Sequence, residues 1–268
     1  MEKIPAVFNP IDREVLRDRV RTVKPFPHFC IDNFLTADFA EEVWRAFPSF
    51  EEAGKIGRKF AAVNEKEKVQ VTDSKLFAAP VAELNKALAS PEFRGLLSHV
   101  FDIPNLLSDD ELVGGGIHET GPRGHLDVHV DFNYIEDRQL HRRLNILIYF
   151  NKNWQDDWGG NIELWDPDVT LLQFSALPRF NRCVVFATSE ISFHGVTAVK
   201  CPPGESRKSF AAYYYTREAP PNWDGKAHST IFRARPDEVM KGAILMPMEN
   251  AKRKVVSAFH DLKKTIKG

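Results

Sequence analysis

Between residues 111 and 217 the chain breaks into seven short stretches rich in β-branched and aromatic residues. They read ELVGGGIHE, HLDVHVDF, RLNILIYFN, GNIELWD, CVVFAT, HGVTAV and RKSFAAYYYT, separated by clusters of Gly, Pro, Asn and Asp. Parallel strands need long crossovers, usually helices, and the spacers here leave no room for them. The region therefore predicts an antiparallel sandwich or barrel, not a βαβ array. The first 110 residues read as mixed but mainly helical. FPHFCIDNFL is a short strand. TADFAEEVWRAF is a helix capped by Thr36, with Phe39, Val43, Trp44 and Phe47 at helical spacing. PVAELNKAL and SPEFRGLLSHVF are two more, the second with Ser90 as cap and Pro91 at the first helical position. The charged, aperiodic run EEAGKIGRKFAAVNEKEKVQV predicts a loop that orders only when substrate is present. After residue 217 the pattern is lost until NAKRKVVSAFHDLKKTIKG, where Val255, Val256, Phe259, Leu262 and Ile266 form an amphipathic stripe. Its basic face is read as solvated.

Composition narrows the function classes. With 268 residues, 43% hydrophobic and 27% charged, the chain can bury a substantial core. A net charge of −1 supplies no global field for nucleic acid or an anionic membrane. The longest apolar run, LNILIYF, falls far short of the ~20 residues that a membrane helix requires. The first residues, MEKIPAVFNPIDREV, lack the apolar core of a signal peptide, and Cys30, Cys183 and Cys201 form no CxxC pair. These features predict a cytoplasmic protein with free thiols.

The chemistry concentrates in GHLDVHVDFNY, residues 124–134, where His125, Asp127, His129 and Asp131 occupy alternate positions. Strand alternation puts all four on one face and Leu126, Val128 and Val130 on the other. Four titratable groups on a buried face are costly, whereas on an exposed face they are unremarkable. Either H-x-D pair sets an imidazole beside a carboxylate. His194, in SEISFHGVTAV, is a natural third ligand from a distant strand. Two His and one carboxylate form the facial set of non-haem Fe(II) oxygenases. In RKSFAAYYYT the same alternation groups Arg207, Ser209, Ala211 and Tyr213, and a guanidinium inside a barrel calls for an anionic partner. The triple glycine Gly114–Gly116 is not followed by a helix pattern or a Lys-Ser/Thr, which excludes a phosphate cradle.

Five blocks in order, GHLDVHVDFN, RRLNILIYFNKNW, WGGNIELWD, FHGV and SRKSFAAYYYT, resemble the Fe(II)- and 2-oxoglutarate-dependent oxygenases, in their prolyl 4-hydroxylase-like branch. The resemblance implies a mainly β fold with flanking helices, built on a double-stranded β-helix (a jelly-roll, cupin-like core). Residues 1–110 would pack on the barrel, 111–217 would form the catalytic core and 218–268 a C-terminal extension, all in one integrated domain. The family pattern G-x-L-x-x-H-x-D selects His129 and Asp131 as ligands with His194, and leaves His125 and Asp127 at the solvated rim. Arg207 would bind the distal carboxylate of 2-oxoglutarate with Tyr149. Asn145, Leu147, Ile162, Val196, Ser209 and Tyr213 would line the cosubstrate pocket, and Gly159 and Gly160 match the paired glycines that open the next strand. Asn133, Arg142, Arg143 and Trp158 are candidate substrate contacts, with His125 and Asp127 as further ones.

The implied reaction uses Fe(II), 2-oxoglutarate and O₂, with ascorbate as a stimulant, to oxidise an unactivated C–H while releasing succinate and CO₂. A carboxylate at Asp131 implies hydroxylation or another oxidation, not the halogenation of relatives that carry a small residue there. The expected substrate is a small molecule, met by a monomer or homodimer, with no nucleic-acid or membrane partner. Two readings compete with it: hydroxylation of a prolyl-type residue in a protein, and a cupin-type metalloenzyme or metal-binding module with no use for 2-oxoglutarate or Arg207.

Overall fold

The computed structural model describes residues 5–221 and 223–238, so the amphipathic segment expected near the C-terminus lies outside the described residues. In chain order, the first part holds α1 (Arg13–Thr22), β1 (His28–Ile31), α2 (Ala37–Ala46), α3 (Phe50–Ile56), β2 (Arg58–Ala62), β3 (Glu65–Val71), α4 (Ala79–Ala89) and α5 (Pro91–Phe101). Then come β4 (Leu107–Ser108), β5 (Gly116–Val130), β6 (Tyr134–Ile135), β7 (Leu140–Tyr149), β8 (Ile162–Trp165), β9 (Leu172–Ala176), β10 (Arg182–Ala187), β11 (His194–Val196), β12 (Arg207–Thr216) and β13 (Ile231–Arg233). The main strand order is β1-β10-β7-β12-β5-β11-β8-β9, with antiparallel pairing throughout.

Alternation along the central strands separates two interiors. Leu144, Ile146 and Ile148 of β7, Cys183 and Val185 of β10, and Phe210, Ala212 and Tyr214 of β12 pack against the helices, among Val43, Leu84, Leu88, Phe93 and Leu97. Tyr149 of β7 and Val184 and Phe186 of β10 point the other way, meeting Ile162 and Leu164 of β8, with Leu147 against them. Strands four and five places apart in the order thus face each other, so the sheet folds over on itself into a nearly closed barrel, the jelly-roll expected. Local signals agree. Ser90 Oγ accepts from Phe93 N–H at the start of α5, while Thr36 precedes α2 without a side-chain cap. The three cysteines are free thiols.

Three sequence expectations change. ELVGGGIHE and HLDVHVDF contribute to one fifteen-residue strand, β5, whose pairing with β3 jumps from Thr120 to His125 across an irregularity that holds Pro122 and Arg123, the latter at φ +68°. The run at 51–70 is not a loop awaiting substrate. Ser49 and Glu52 close a capping box on α3, and β2–β3 form a hairpin whose second strand pairs with β5 from Leu126 back to Ile117. Its charges are those of a two-stranded flap with a wet outer face, and the buried pattern is confined to Val69–Val71. Beyond residue 217 the chain also returns to the sheet, as β13, which pairs with Val128–Val130 of β5.

Candidate active site

The cavity inside the barrel, about 310 Å³, is lined by His129, Asp131 and His194. Each offers one ligand atom, and the three atoms lie within 4.8 Å of one another. Asp131 Oδ1 is 3.5 Å from His129 Nε2, and Oδ2 is 3.4 Å from His194 Nε2. Neighbouring ligands at ~2.1 Å from a common ion stand ~3 Å apart, so slight contraction suffices to hold a metal. Both rings are prepared for it. His129 Nδ1–H donates to Asp127 O at 2.8 Å and His194 Nδ1–H to Ser192 O at 2.9 Å, which fixes the tautomers and turns each Nε2 lone pair inward. Burial and the neighbouring His129 push His194 down to about 3, so it stays neutral. Burial would raise Asp131, but Arg142 and the two imidazoles outweigh it and hold the carboxyl well below its usual range.

Alternation alone does not build this site. Between β5 and β11 the register pairs His194 with His129 but Val196 with Leu126, so β5 carries one extra residue at a bulge. Leu126 consequently joins the cavity wall with His129 and Val196. Asp127 leaves that face: it is fully buried, 3.6 Å from His125 and 3.8 Å from Arg235, not solvated at a rim. His125 does reach the cavity, and its Nε2 meets Val63 O at the hairpin turn.

At the far end, Arg207 Nε donates to Gly160 O at 2.7 Å and Nη1 to Ser209 Oγ at 3.3 Å, with the guanidinium 4.9 Å from the Tyr149 ring centroid. Among the described residues, Arg207 Nη2 and Tyr149 Oη are buried with no hydrogen-bond partner. Burial lowers the Arg207 pKa and raises that of Tyr149 to about 12, so a cation and a neutral O–H donor converge with no anion among the described residues beside them. Two orphaned buried donors fit a carboxylate of a bound keto acid. Leu147, Ile162, Phe186 and Val196 wall the space between them and the histidines. Gly160, at φ +71°, is required there, because a Cβ would sit 3.0 Å from Arg207 Cδ.

Other expected contacts divide. Asn145 serves Asp131: its Nδ2 donates to Asp131 Oδ2 at 2.8 Å while its Oδ1 accepts from Arg142 Nε. Arg142 itself lies 3.1 Å from Asp131 Oδ2 and 3.6 Å from the Tyr213 ring centroid, and Tyr213 Oη donates to Gly114 O. Asn133 lines an adjoining groove, its amide tied to Glu190, Lys226 and His228. Arg143 points to the other side of β7 and donates to Thr216 Oγ1, and Trp158 packs on Trp154 beside Val199 and Cys201, so neither lines the cavity. Residues not anticipated include Arg58, Lys68 and Gln70 from the hairpin, His118 from β5, and Phe232 from β13. The alternation in KVQV was a usable signal for Lys68 and Gln70. Nothing in the sequence marked Phe232.

Residues 115–215 match the family model described as the 2OG-Fe(II) oxygenase superfamily. The mouse (Mus musculus) prolyl 3-hydroxylase OGFOD1 is 32% identical over 84 residues, which cover 30% of this chain and only 15% of that protein. Among solved structures, a Pseudomonas putida prolyl-4-hydroxylase superposes with a TM-score of 0.55 at 15% identity, covering 76% of this chain and 98% of that one. A Trichoplax adhaerens prolyl hydroxylase, in complex with a hypoxia inducible factor oxygen degradation domain peptide fragment, gives 0.54 at 17% identity, covering 76% and 88%. At these identities the two superpositions establish the fold.

Proposed function

We propose, on the premise that residues 115–215 belong to the 2OG-Fe(II) oxygenase superfamily, that the chain is a 2-oxoglutarate-dependent dioxygenase hydroxylating a prolyl-type residue in a polypeptide. When bound, Fe(II) and 2-oxoglutarate supply the oxidation of a C–H bond by O₂ with release of succinate and CO₂. The chain's own residues do the rest. His129, Asp131 and His194 hold the metal. Asn145 and Arg142 hold the Asp131 carboxylate ionised and oriented. Arg207 and Tyr149 grip the distal carboxylate of the cosubstrate, and Leu147, Ile162, Phe186 and Val196 keep water from the oxidising centre.

The observation that favours a polypeptide over a free metabolite is the groove that continues from the metal cavity. Asp131, Phe132 and Arg142 line both spaces. The second, about 370 Å³, runs on past Asn133, His141, Ile191, Pro220 and Trp223. A Trp and a Pro beside an open apolar groove suit a ring-bearing residue within an extended segment. Prolyl substrates of the mouse and Pseudomonas relatives, as their names state, point the same way.

The test couples succinate release to mass spectrometry of substrate. Prolyl peptides should gain one oxygen atom in step with succinate. Turnover of free amino acids alone would return the assignment to a small molecule. Metal binding without 2-oxoglutarate consumption would leave only the cupin-type reading.

A further inference from the structure

Outside the site just described, Arg235, twenty residues beyond the family match, is held by several buried polar groups. It follows β13, whose pairing sets Phe232 opposite His129, with ring centroids 5.4 Å apart. From there Arg235 turns inward and is only 12% exposed. Its Nε and Nη2 lie 2.8 and 2.7 Å from Glu163 Oε2, and Nη1 lies 3.8 Å from Asp127 Oδ1. Nη2 also donates to Val196 O at 3.3 Å and approaches Leu126 O at 3.5 Å.

Those two carbonyls belong to the residues paired across the β5–β11 bulge, one step from the ligands. A bulge disrupts the ladder and leaves backbone groups in need of partners. Here Arg235 Nη2, with one N–H toward Glu163, turns the other toward the neighbouring carbonyls of Val196 and Leu126, between the two strands. The approach requires Gly195, beside His194: a Cβ there would lie 3.1 Å from both Arg235 Nη2 and Leu126 O. Asp127 and Glu163, both buried, face the same cation. Asp127 is also the residue whose carbonyl orients His129.

We infer that Arg235 is a positioning residue of the metal centre. It staples the bulge that sets His129 opposite His194, and so makes the segment after residue 217 part of the site. This rests on the reading that His129, Asp131 and His194 hold the metal.

The test uses the full chain without 2-oxoglutarate, titrated with Co(II) and followed by its visible ligand-field bands, alongside thermal melting. Arg235→Met should weaken Co(II) binding at least tenfold and shift the bands at temperatures where the protein is folded. Arg235→Lys, which keeps the charge but reaches fewer acceptors, should recover part of the affinity. Arg233→Met, two residues earlier at the end of β13 but aimed at Pro167 O and Phe193, should bind as the unaltered chain does. If Arg235→Met does not fold, Arg235→Met/Glu163→Gln removes the imbalance of charge and takes the same measurement. Unaltered affinity and spectrum in a folded Arg235 variant, whatever its melting temperature, would reduce Arg235 to an anchor of the C-terminal segment and overturn the inference alone. Failure of the unaltered chain to bind Co(II) would overturn this inference together with the metal reading beneath it.

Discussion

Replacing Arg207 by Ala separates a keto-acid oxygenase from a barrel that merely binds metal. The side chain is 3% exposed, and two of its three nitrogens are already committed to Gly160 O and Ser209 Oγ. The third, with Tyr149 Oη, is left for an anion. Breaking a buried, charge-assisted pair costs about 3–5 kcal/mol, or roughly a hundredfold to several thousandfold in affinity. Arg207→Lys keeps the charge but loses the fork, and the loss of a charged hydrogen bond at about 1.5–3 kcal/mol predicts an intermediate effect. Calorimetric titration of 2-oxoglutarate into the anaerobic Fe(II) protein would measure both, with iron retained. Lys208 is the internal control. It faces the helices, where Nζ bonds Pro48 O and the buried Glu119 at 2.9 Å. Lys208→Ala should therefore lower stability and leave cosubstrate affinity in the folded protein unchanged. Equal 2-oxoglutarate affinity in Arg207→Ala, or a comparable loss in Lys208→Ala, would refute the reasoning.

Equilibrium dialysis should find Fe(II) lost in His129→Ala and in His194→Ala but kept in His125→Ala, whose imidazole secures the hairpin turn; the opposite pattern would assign the ligands to the wrong pair. Glu119 is pushed up to about 7 by burial, against the pull of Lys208 and Ser206. A carboxyl whose folded pKa is raised binds more protons folded than unfolded, so stability should fall as pH rises from about 4.5 to about 7, by at most ~1.4 kcal/mol per pH unit. Denaturant titrations across that window should show a shallower fall in Glu119→Gln, and an unchanged slope would remove Glu119 as the cause. Gly160→Ala places a Cβ against Arg207 Cδ at positive φ, so it should weaken 2-oxoglutarate binding as well as lower the melting temperature.

The jelly-roll and its polar interior were legible because β7 over Leu144–Tyr149, β10, and β12 up to Tyr214 are regular. Period-2 alternation sorts Asn145, Leu147 and Tyr149 from Ile146 and Ile148, and Arg207 and Ser209 from Lys208 and Phe210, without any knowledge of their partners. The same rule failed within HLDVHVDF because a bulge inserts one residue without a local mark. Leu126 and Asp127 exchanged sides, while His129 and Asp131, beyond the bulge, kept theirs. The hairpin at 58–71 was missed for a different reason. A flap with one face in solvent has no apolar period over most of its length, and charge was mistaken for irregularity. Phe232 and Arg235 left no usable signal: three residues of strand carry no period, and apart from the local Glu238 the carboxylates that face Arg235 lie about 70 and 110 residues earlier.

Those missed elements decide how a substrate can approach. In the core, β12 and β11 occupy one edge of the ligand strand β5. The other edge would expose a row of unpaired N–H and C=O groups beside His129, a template for adding a foreign strand. Here most of it is filled. β3 covers Ile117 to Thr120 and His125 to Leu126, Asn64 O accepts from Asp127 N–H at 2.9 Å, and β13 covers Val128 to Val130. The pieces come from the two ends of the chain, neither of which lies in the region matched to the family. With that edge closed and Phe232 over His129, the polypeptide substrate proposed above would not engage by extending the sheet at β5. It would cross the mouth on the side of Phe132, Arg142 and Trp223, where side chains and not backbone ladders would select what enters. On that proposal, specificity would be set by residues of the groove and by whatever holds β13 in place.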